Sequence, residues 1–404
     1  MKGKNVFYAQ SGGVTAVINA SAAGLLDAIN SSNHHGKVFV GQNGILGALQ
    51  ERVFDLSKRD PSSLIGLRTT PAGAFGSCRH KLTSDQEYQK LIEFFQRYEI
   101  GYFFYNGGGD SQDTSNKVAK LSEKIGYPLT CIGIPKTIDN DLPVTDSSPG
   151  FGSAAKYIAI SSLEAALDIR SMSPSSTKVF IMEVMGRHVG WLAAAGGVAH
   201  YRYHCGPHLI LFPEVEFKQE IFLAEVDKSV KKEGYCVIVA SEGLKGAGGK
   251  LLGESGNKDA FGHSQLAGVA EFLAQQVRAN LKYKTHYAVC DYLQRAARHI
   301  ASKVDVDQAY ALGKAAWEFA QTGENAIMTT IIRTSESPFK WKIGSVPLDE
   351  VANIEKTLPS HYISSDGFHI TNSCREYLEP LINGEDYPTY KDGLPNYLVL
   401  NNEE

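Results

Sequence analysis

Three apolar segments in the amino-terminal part of the chain each end in a polar or glycine-rich turn, and this repeated arrangement constrains the fold more than any other feature of the sequence. The segments cover residues 6–9, 101–105 and 129–134, and helical patterns follow the first two turns at 14–20 and 112–124. Apolar runs bounded by turn residues are typical of strands buried on both faces of a parallel sheet. The alternation of strands and helices therefore predicts an α/β fold with mainly parallel sheets flanked by helices.

The same alternation continues through the rest of the chain. Further strand patterns lie at 179–183, 209–212, 235–240 and 326–332. Further helical patterns lie at 154–170, 217–232, 264–281 and 306–322. One more helix is predicted to open at Ser84 and run through Tyr98, since Ser84 and Glu87 have capping-box spacing. The glycine-rich stretch 243–256 predicts a loop, and regular structure is expected to resume at 261–263.

A dinucleotide-type glycine pattern at Gly150 to Ala155 has another explanation. Polar residues 145–149 precede it, whereas the dinucleotide fingerprint requires a strand at that place. The pattern therefore predicts the amino end of a helix.

Composition excludes several classes of function. With 404 residues, of which 43% are hydrophobic, the chain can bury a large core and divide into two lobes. A net charge of only -4 gives no basic field for nucleic acid or an anionic membrane, so we expect a small-molecule partner. Six cysteines without C-x-x-C spacing are typical of reduced thiols in a cytoplasmic protein. The apolar stretch after Lys4 is too short for a signal peptide or a membrane span.

The segment from Pro135 to Asp141 carries the groups that phosphoryl transfer requires. It places an ammonium, a hydroxyl and two carboxylates directly after the third strand pattern. Asp139 could accept a proton from an attacking hydroxyl while Lys136 neutralises phosphate charge. Asp and Asn also cap turns by local hydrogen bonds, so the residues of this segment leave both interpretations open.

Glycine turns add a second indication. Gly12 with Gly13, and the run Gly107 to Gly109, leave bare amides at the start of predicted helices. Such amides bind phosphate oxygens, because the helix dipole favours an anion and glycine lets the ligand approach closely. One such turn is weak evidence, since strand-to-helix turns commonly need glycine, but together with the polar segment they favour a phosphate site.

These motifs occur in an order that resembles the phosphofructokinase family, and within it the branch that uses pyrophosphate in place of ATP. Ser11 to Gly13, Gly107 to Ser111, Pro135 to Asp141 and Met185 to Arg187 carry the resemblance, which extends to about Arg298. Several ordered motifs are far more specific than any one of them.

The resemblance implies a phosphofructokinase-like chain of two Rossmann-like lobes that face a shared cleft. Residues 1–141 with roughly 294–345 would form the phosphoryl-donor lobe, and residues 142–293 with roughly 346–404 the sugar-phosphate lobe. The family further implies a homodimer or homotetramer.

The resemblance also implies an activity. This is reversible transfer of a phosphoryl group from pyrophosphate to the 1-hydroxyl of fructose 6-phosphate, with Mg²⁺, as a step of glycolysis. Use of ATP on the same fold, and a catalytically silent sugar-phosphate sensor, remain as alternatives. An intact Asp139 argues against the sensor.

Roles at the donor end follow from the resemblance. Asp139 would be the base, Thr137 and Asp141 would orient it, and Lys136 and Arg79 would stabilise charge. The residues implied to hold the donor are Gly12, Gly13, Arg79, Gly108, Gly109, Asp110 and Ser111.

Donor choice is expected to depend on Asp110 and Lys136, since ATP-using relatives typically have glycine at both positions. A carboxylate at 110 would occupy and repel the α-phosphate of a nucleotide, while Lys136 reaches a compact pyrophosphate. Asp110 is also suited to capping the helix that follows. Pyrophosphate-using relatives commonly have a further aspartate where this chain has Gly109, so Asp110 or Asp141 is expected to contact Mg²⁺, which needs few direct carboxylates.

The sugar phosphate has its own implied set of residues. Glu242 would accept a sugar hydroxyl, Tyr292 and Arg295 would grip the 6-phosphate, and His286 falls where relatives supply an arginine from a neighbouring subunit. The full set is Lys178, Met185, Gly186, Arg187, Glu242, His286, Tyr292 and Arg295. Taken alone, the charged members are more typical of solvated surface positions.

Overall fold

The computed structural model describes residues 4–58, 64–252, 254–258, 264–266 and 268–400. Gly253 of the predicted loop 243–256, and the segment 261–263 after it, lie outside these residues. The end of that loop prediction is wrong, since Glu254–Lys258 forms a strand.

The chain forms two compact units. The first unit is Met1–Ser153 with Ala296–Glu355 and Gly384–Glu404, and the second is Ala154–Arg295 with Lys356–Asn383. The segment from 384 onward was expected in the sugar-phosphate lobe but groups with the first unit, where the guanidinium of the fully buried Arg298 contacts Asp386. The assignment of donor and sugar-phosphate roles to two lobes stays a prediction.

The strands are β1 (Asn5–Gln10), β2 (Val38–Gly41), β3 (Val53–Asp55), β4 (Ile100–Gly107), β5 (Thr130–Pro135), β6 (Val179–Val184), β7 (Leu209–Leu211), β8 (Cys236–Ser241), β9 (Glu254–Lys258), β10 (Ser264–Leu266), β11 (Thr285–Val289), β12 (Ile327–Ser335), β13 (Lys340–Pro347), β14 (Tyr390–Lys391) and β15 (Leu394–Pro395). The α-helices are α1 (Ile18–Asn30), α2 (Ile45–Leu49), α3 (Asp85–Arg97), α4 (Gly109–Lys124), α5 (Phe151–Met172), α6 (Trp191–Gly196), α7 (Val198–Tyr203), α8 (Gln219–Glu233), α9 (Val269–Leu281), α10 (Asp291–Ala296), α11 (Lys303–Thr322) and α12 (Asn372–Leu378).

The first unit is built on a sheet with strand order β13-β12-β5-β4-β1-β2-β3. Its central strands are parallel, and the edge strands β3 and β13 run antiparallel to their neighbours. Side chains of β1 alternate between two apolar cores: Tyr8 packs with Trp317 of α11, and Phe7 packs with Phe94 of α3. Helices therefore cover both faces, and the carboxyl ends of β1, β4 and β5 lie side by side.

The second unit contains a parallel sheet of strand order β11-β6-β8-β7. Val226 of α8 and Leu273 of α9 pack on one face with Ile181 of β6, while Ile169 of α5 packs with Val237 of β8 on the other. The α/β fold with mainly parallel sheets is confirmed in both units.

Two local predictions are confirmed. Ser84 and Glu87 form the capping box of α3, each side chain accepting the other's backbone N–H. The glycine pattern at Gly150 is followed by the start of α5 at Phe151.

Several predicted helix starts are wrong, and α5 and α11 each begin three residues earlier than predicted. The first helix begins at Ile18, since Thr15 Oγ1 accepts a hydrogen bond from the Val17 N–H and holds a turn there. The predicted helix at 264–281 begins at Val269, because residues 264–266 pair as a strand and Gly268 adopts a left-handed conformation. Helix α4 starts earlier than predicted, at Gly109.

No helix within the described part of the chain is long and apolar enough to span a membrane. All six cysteines are buried as free thiols.

Candidate active site

The first glycine turn follows β1 and is held by a neighbouring segment. The Gly12 N–H donates to Cys78 O at 2.9 Å, and Ser77 Oγ donates to Gly12 O at 2.9 Å. Lys136 Nζ donates to Gly13 O at 2.6 Å. A Cβ at Gly12 would lie 3.4 Å from this ammonium, and the backbone there has a φ of 73°. Glycine therefore suits this position, where the Lys136 side chain packs against the turn.

The second glycine turn joins β4 to α4. Gly107 must lack a side chain, because a Cβ there would lie 2.1 Å from Ser111 Oγ. Gly108 is the N-cap residue and makes no side-chain cap bond, and a Cβ at Gly109 would meet nothing within 4 Å. The turn therefore leaves open space at the amino end of a helix, where backbone amides and the helix dipole favour an anion.

Asp110 lies in the first turn of α4 and forms an ion pair that the sequence did not predict. Its Oδ1 atom lies 2.6 Å from Lys81 Nζ, and the two side chains are 41% and 36% exposed. The alternative role of Asp110 as N-cap is wrong, since Gly108 occupies that position. The spacing of the two basic residues Arg79 and Lys81 is the signal in the sequence that could have indicated Lys81, because alternate residues of an extended segment face the same side.

The polar segment after β5 is anchored at its start. The Lys136 N–H donates to Gly107 O at 3.1 Å, and the residue is 4% exposed although its side chain is cationic. The strand pairing and these bonds place Lys136 beside both glycine turns.

The turn that follows is ordered by its own side chains. Thr137 Oγ1 accepts a hydrogen bond from the Asp139 N–H at 3.1 Å. Asn140 is fully buried with a φ of 55°, and its Oδ1 accepts from the Ser148 N–H at 3.0 Å. Thr137 therefore orients the backbone that carries Asp139. Local hydrogen bonds hold this turn, and the candidate base lies within it, so the two interpretations of the segment are compatible.

Magnesium ligation can be judged from the carboxylates at this end. No three His, Cys, Asp or Glu side chains within the described ranges are arranged to hold a metal ion. Mg²⁺ carried by a phosphate substrate needs only one or two protein carboxylates, because phosphate oxygens and water complete its octahedron. Asp110 fits this requirement, since its carboxylate is partly exposed at the amino end of α4. Asp141 fits less well, because its Oδ1 atom is buried.

The candidate sugar-phosphate residues gather at the carboxyl ends of β6 and β8 in the second unit. Gly186 has a φ of 125°, and a Cβ there would lie 2.6 Å from Val189 O, so this turn requires glycine. Ser241 Oγ donates to Gly186 O at 2.6 Å, and Glu242 Oε1 accepts from the Gly186 N–H at 3.3 Å. Arg187 Nε is buried and has no hydrogen-bond partner among the residues the structure describes.

Helix α10 is docked against the same turn by a residue that the sequence analysis missed. Gln294 is 1% exposed, and its Oε1 accepts from the Met185 N–H at 3.2 Å. The guanidinium of Arg295 stacks on the ring of Tyr292, 3.9 Å from its centroid, and Tyr292 is largely exposed. Gln294 thus fixes the helix that presents these two side chains. Its position between Tyr292 and Arg295 is the feature of the sequence that could have indicated it.

Two expected members lie elsewhere in the second unit. Lys178 precedes β6 at its amino end, and its ammonium contacts Ser173 O. Six strand residues separate it from Met185 within one chain, about 20 Å at ~3.3 Å per residue, and its role toward the sugar phosphate stays a prediction. His286 is exposed on β11 in register with Phe180, also near the amino end of β6. Its role toward a neighbouring subunit stays a prediction.

Glu242 is the most perturbed carboxyl group of this cluster. Burial raises its pKa to about 7, opposed by the hydrogen bond from Gly186 and the charge of Arg187, while Glu183 and Asp291 raise the pKa further. The side chain therefore changes charge near neutral pH, whereas an ordinary glutamate is ionised there.

The raised pKa predicts a pH-dependent stability difference. The folded protein retains a proton on Glu242 that the unfolded chain releases above its lower pKa, so the stabilising effect is present at low pH and is lost as pH rises through about 7. Glu242→Gln should match wild type at pH 5. At pH 8 it should be more stable than wild type by about 2 kcal/mol, or roughly 4–8 °C in Tm. Thermal unfolding at both pH values measures this, and an equal difference at the two pH values would contradict it.

Comparisons with known proteins identify the family to which the chain belongs. The family model described as Phosphofructokinase matches residues 5–320. The chain is 56% identical over 407 residues to the pyrophosphate–fructose 6-phosphate 1-phosphotransferase of Methylococcus capsulatus, covering 100% of this chain and 97% of that protein. It is 58% identical over 401 residues to the protein of the same name from Halomonas elongata, covering 98% and 96%.

A solved structure agrees with these sequence matches. The crystal structure of a pyrophosphate-dependent phosphofructokinase from Nitrosospira multiformis superposes with a TM-score of 0.92 at 56% identity, covering 99% of this chain and 97% of that one. The chain belongs to the phosphofructokinase family.

Proposed function

We propose that this protein transfers a phosphoryl group reversibly between pyrophosphate and the 1-hydroxyl of fructose 6-phosphate, a step of glycolysis. The observation that carries the proposal is the pair Asp110 and Lys136 at the two turns where ATP-using relatives typically have glycine. Relatives more than half identical over the whole chain are named for this reaction.

The donor end is suited to a short, highly charged phosphate. Lys136 and Lys81 are cations beside the glycine turns, and Gly108 and Gly109 open the amino end of α4. The carboxylate of Asp110 lies in the first turn of the same helix, where it is expected to exclude the α-phosphate of a nucleotide by bulk and charge. We infer that pyrophosphate binds along these turns and that Arg79, which is exposed, meets the transferred group.

The chemistry requires one proton acceptor and several charge stabilisers. In the forward direction the 1-hydroxyl oxygen of the sugar attacks a phosphorus of pyrophosphate, a P–O bond to the bridging oxygen breaks, and phosphate leaves. Asp139 accepts the hydroxyl proton, and Thr137 and Asp141 orient this carboxylate. Lys136 and Arg79 stabilise the charge on the transferred group. The reverse direction uses the protonated Asp139 as the acid.

Magnesium would be held mainly by the phosphates, with Asp110 as the protein carboxylate that fits it and Asp141 as the second expected ligand. When bound, the ion neutralises phosphate charge. Lys81 is then a competitor for the same carboxylate oxygen.

The acceptor end is proposed to consist of Met185, Gly186, Arg187, Glu242, Tyr292 and Arg295. Arg187 and Arg295 would bind the sugar phosphate, and Glu242, when ionised, would accept a sugar hydroxyl. Lys178, at the amino end of β6, and His286, on β11, remain predicted members of this set.

One assay tests the donor directly. Purified protein is given fructose 6-phosphate and Mg²⁺ with either pyrophosphate or ATP, and fructose 1,6-bisphosphate is measured. We expect turnover with pyrophosphate and, from fructose 1,6-bisphosphate and phosphate, formation of pyrophosphate. Turnover with ATP alone would favour the ATP-dependent alternative, and binding of the sugar phosphate without turnover would favour the sensor.

Replacing Arg295 with alanine should weaken fructose 6-phosphate binding by about 2 kcal/mol or more, the scale of a lost charge-assisted contact. The apparent affinity for pyrophosphate should hardly change. Arg202→Ala is the matched control, because Arg202 is also exposed beside a tyrosine, with its guanidinium 5.6 Å from the ring centroid of Tyr203. A rise in the KM for pyrophosphate instead would show that the two substrate ends are assigned backwards.

The family further leads us to propose a homodimer or homotetramer in the cytoplasm. Strand β11 is an edge strand of its sheet, and Tyr287 and Val289 on it are 38% and 46% exposed, which suits contact with a second copy. Light scattering after size-exclusion chromatography gives the subunit count, and a monomer at micromolar concentration would contradict this part of the proposal.

A further inference from the structure

A buried carboxyl group distant in sequence from the candidate base holds the segment that packs against the turn carrying that base. Asp305 lies in the first turn of α11 and is 1% exposed. Its Oδ1 accepts from the Gly150 N–H at 2.9 Å, and its Oδ2 accepts from the Ser153 N–H at 2.9 Å and from Ser153 Oγ at 2.6 Å. It therefore holds the backbone on both sides of the start of α5.

The surroundings of Asp305 act on its carboxyl group in two directions. Burial raises the pKa of Asp305, and the hydrogen bonds from Ser153 and Gly150, together with the charge of the fully buried Arg298, oppose this rise. The guanidinium of Arg298 contacts both the carbonyl and the carboxylate of Asp386. The hydrogen bonds from Gly150 and Ser153 satisfy both oxygens of this buried carboxyl group, as a buried polar group requires.

The segment that Asp305 holds is the one against which the catalytic turn rests. Gly150 pairs with Thr137 as an isolated parallel bridge, and the Thr137 N–H donates to Pro149 O at 3.2 Å. Ser148 donates its N–H to Asn140 Oδ1 at 3.0 Å. The turn of residues 137–140 is therefore held from one side by residues 148–150.

Helix α11 holds this segment at a second point. Gln308 follows Asp305 by three residues and so lies on the same face of the helix. Its Oε1 accepts from Ser147 Oγ at 3.1 Å, and both residues are buried. Gly150 itself has no room for a side chain, since its φ is 105° and a Cβ would lie 2.5 Å from Thr15 Cγ2.

We propose that Asp305 is a positioning residue for phosphoryl transfer, which fixes Gly150 and Ser153 and through them the Thr137–Asn140 turn that carries Asp139. This inference rests on the proposed function, in which Asp139 is the base. Displacement of a reacting group by about 1 Å slows an enzyme by up to about 100-fold, so the effect should fall on kcat and not on substrate binding.

The test uses the full-length enzyme and the variant Asp305→Asn. Asparagine keeps the size of the side chain but has only one acceptor oxygen, so it cannot accept from both the Gly150 and the Ser153 amides. We expect kcat to fall by about 10- to 100-fold, with the KM values for fructose 6-phosphate and pyrophosphate within about threefold of wild type.

Two controls separate positioning from general destabilisation. Ser153→Ala removes the hydroxyl that Asp305 and the Ser302 N–H share, and so lowers Tm, but it leaves both backbone amides on Asp305. Its kcat should stay within about threefold of wild type. Asp307→Asn removes a carboxylate on the same helix that pairs with Arg68 and Lys303 at the surface, and it should leave kcat unchanged.

A second background tests whether Asp305 acts through Asp139. In Asp139→Ala, adding Asp305→Asn should cause no further loss of kcat, since the group being positioned is absent. An equal further loss in that background, or wild-type kcat in a folded Asp305→Asn, overturns the inference. If Asp305→Asn does not fold, Asp305→Glu retains the charge but moves the acceptors by one methylene, and wild-type kcat in that variant overturns it as well.

The proposed function fails in a different way. Activity in Asp139→Ala close to wild type would show that the base lies elsewhere, and it would remove the basis of the positioning role. A large loss in Asp139→Ala with full activity in Asp305→Asn would leave the base in place and reject only Asp305.

Discussion

Replacing Asp139 with alanine is expected to slow phosphoryl transfer by about two to four powers of ten, the range that a positioned general base contributes. Binding of both substrates should change much less, because the carboxylate acts on a proton that moves only in the reaction. Asp139 has a half-buried side chain and lies in the turn that hydrogen bonds of Thr137 and Asn140 hold. Truncation of that side chain should therefore leave the backbone of the turn in place.

The measurement is kcat and KM in both directions with fructose 6-phosphate and pyrophosphate, and with fructose 1,6-bisphosphate and phosphate. Asp349→Ala serves as the matched control, since Asp349 is an exposed carboxylate of the same unit. Turnover near that of wild type in the pure variant would show that another group takes the proton.

The second large effect concerns the donor. In the variant carrying Asp110→Gly and Lys136→Gly, ATP should become a detectable donor, while kcat/KM for pyrophosphate should fall by at least about 100-fold. Pyrophosphate then loses the Lys136 ammonium, and its Mg²⁺ loses the Asp110 carboxylate. The carboxylate that would repel a nucleotide is then gone, and so is the ammonium that now donates to Gly13 O beside Gly12. The space above Gly109 is already open.

The single variants should do less, and the structure gives the reason. Lys136→Gly leaves the carboxylate of Asp110 in the first turn of α4, whereas Asp110→Gly leaves Lys136 in the path of the nucleotide and also deprives Lys81 of its 2.6 Å ion pair. Residues that share one site are not expected to act additively. Lys117→Gly with Asp113→Gly is the matched control, a second ion pair on α4 one turn further along the helix. Use of ATP by wild type as readily as pyrophosphate, or a folded double variant that loses pyrophosphate activity and still does not bind ATP, would reject these residues as the filter.

Long and strongly patterned segments were predictable from the sequence. The apolar runs before Gln10, Asn106 and Lys136 became β1, β4 and β5, because strands buried on both faces are recognisable without knowing their neighbours. The capping box at Ser84 was equally visible, since both of its hydrogen bonds are made within four residues.

Short and edge elements were not predictable in the same way. Strands β2 and β3 have four and three residues, too few to show a period, and β13 lies at the sheet edge with exposed lysines at alternate positions. The helix expected at 264 begins at Val269, because pairing with β9 decides the conformation of 264–266. Pairing partners are tertiary facts, and local propensity is too weak to resist them.

The sequence by itself determined the residue types of the candidate site and their place at strand ends. Gly12, Gly107 and Gly186 are set by local chain geometry, since glycine tolerates their positive φ angles or close approaches. The lysine and carboxylates after β5 are recognisable because they directly follow a buried strand. Tertiary structure alone decided which of these groups meet. Lys81 and Asp110 are separated by 29 residues, and Asp305 and Gly150 by 155. Lys178, which the motif order placed with Arg187, lies at the other end of β6 because the direction of the strand separates them. Contacts of this kind follow from how strands and helices pack, and a side chain's distance along the chain carries no information about them.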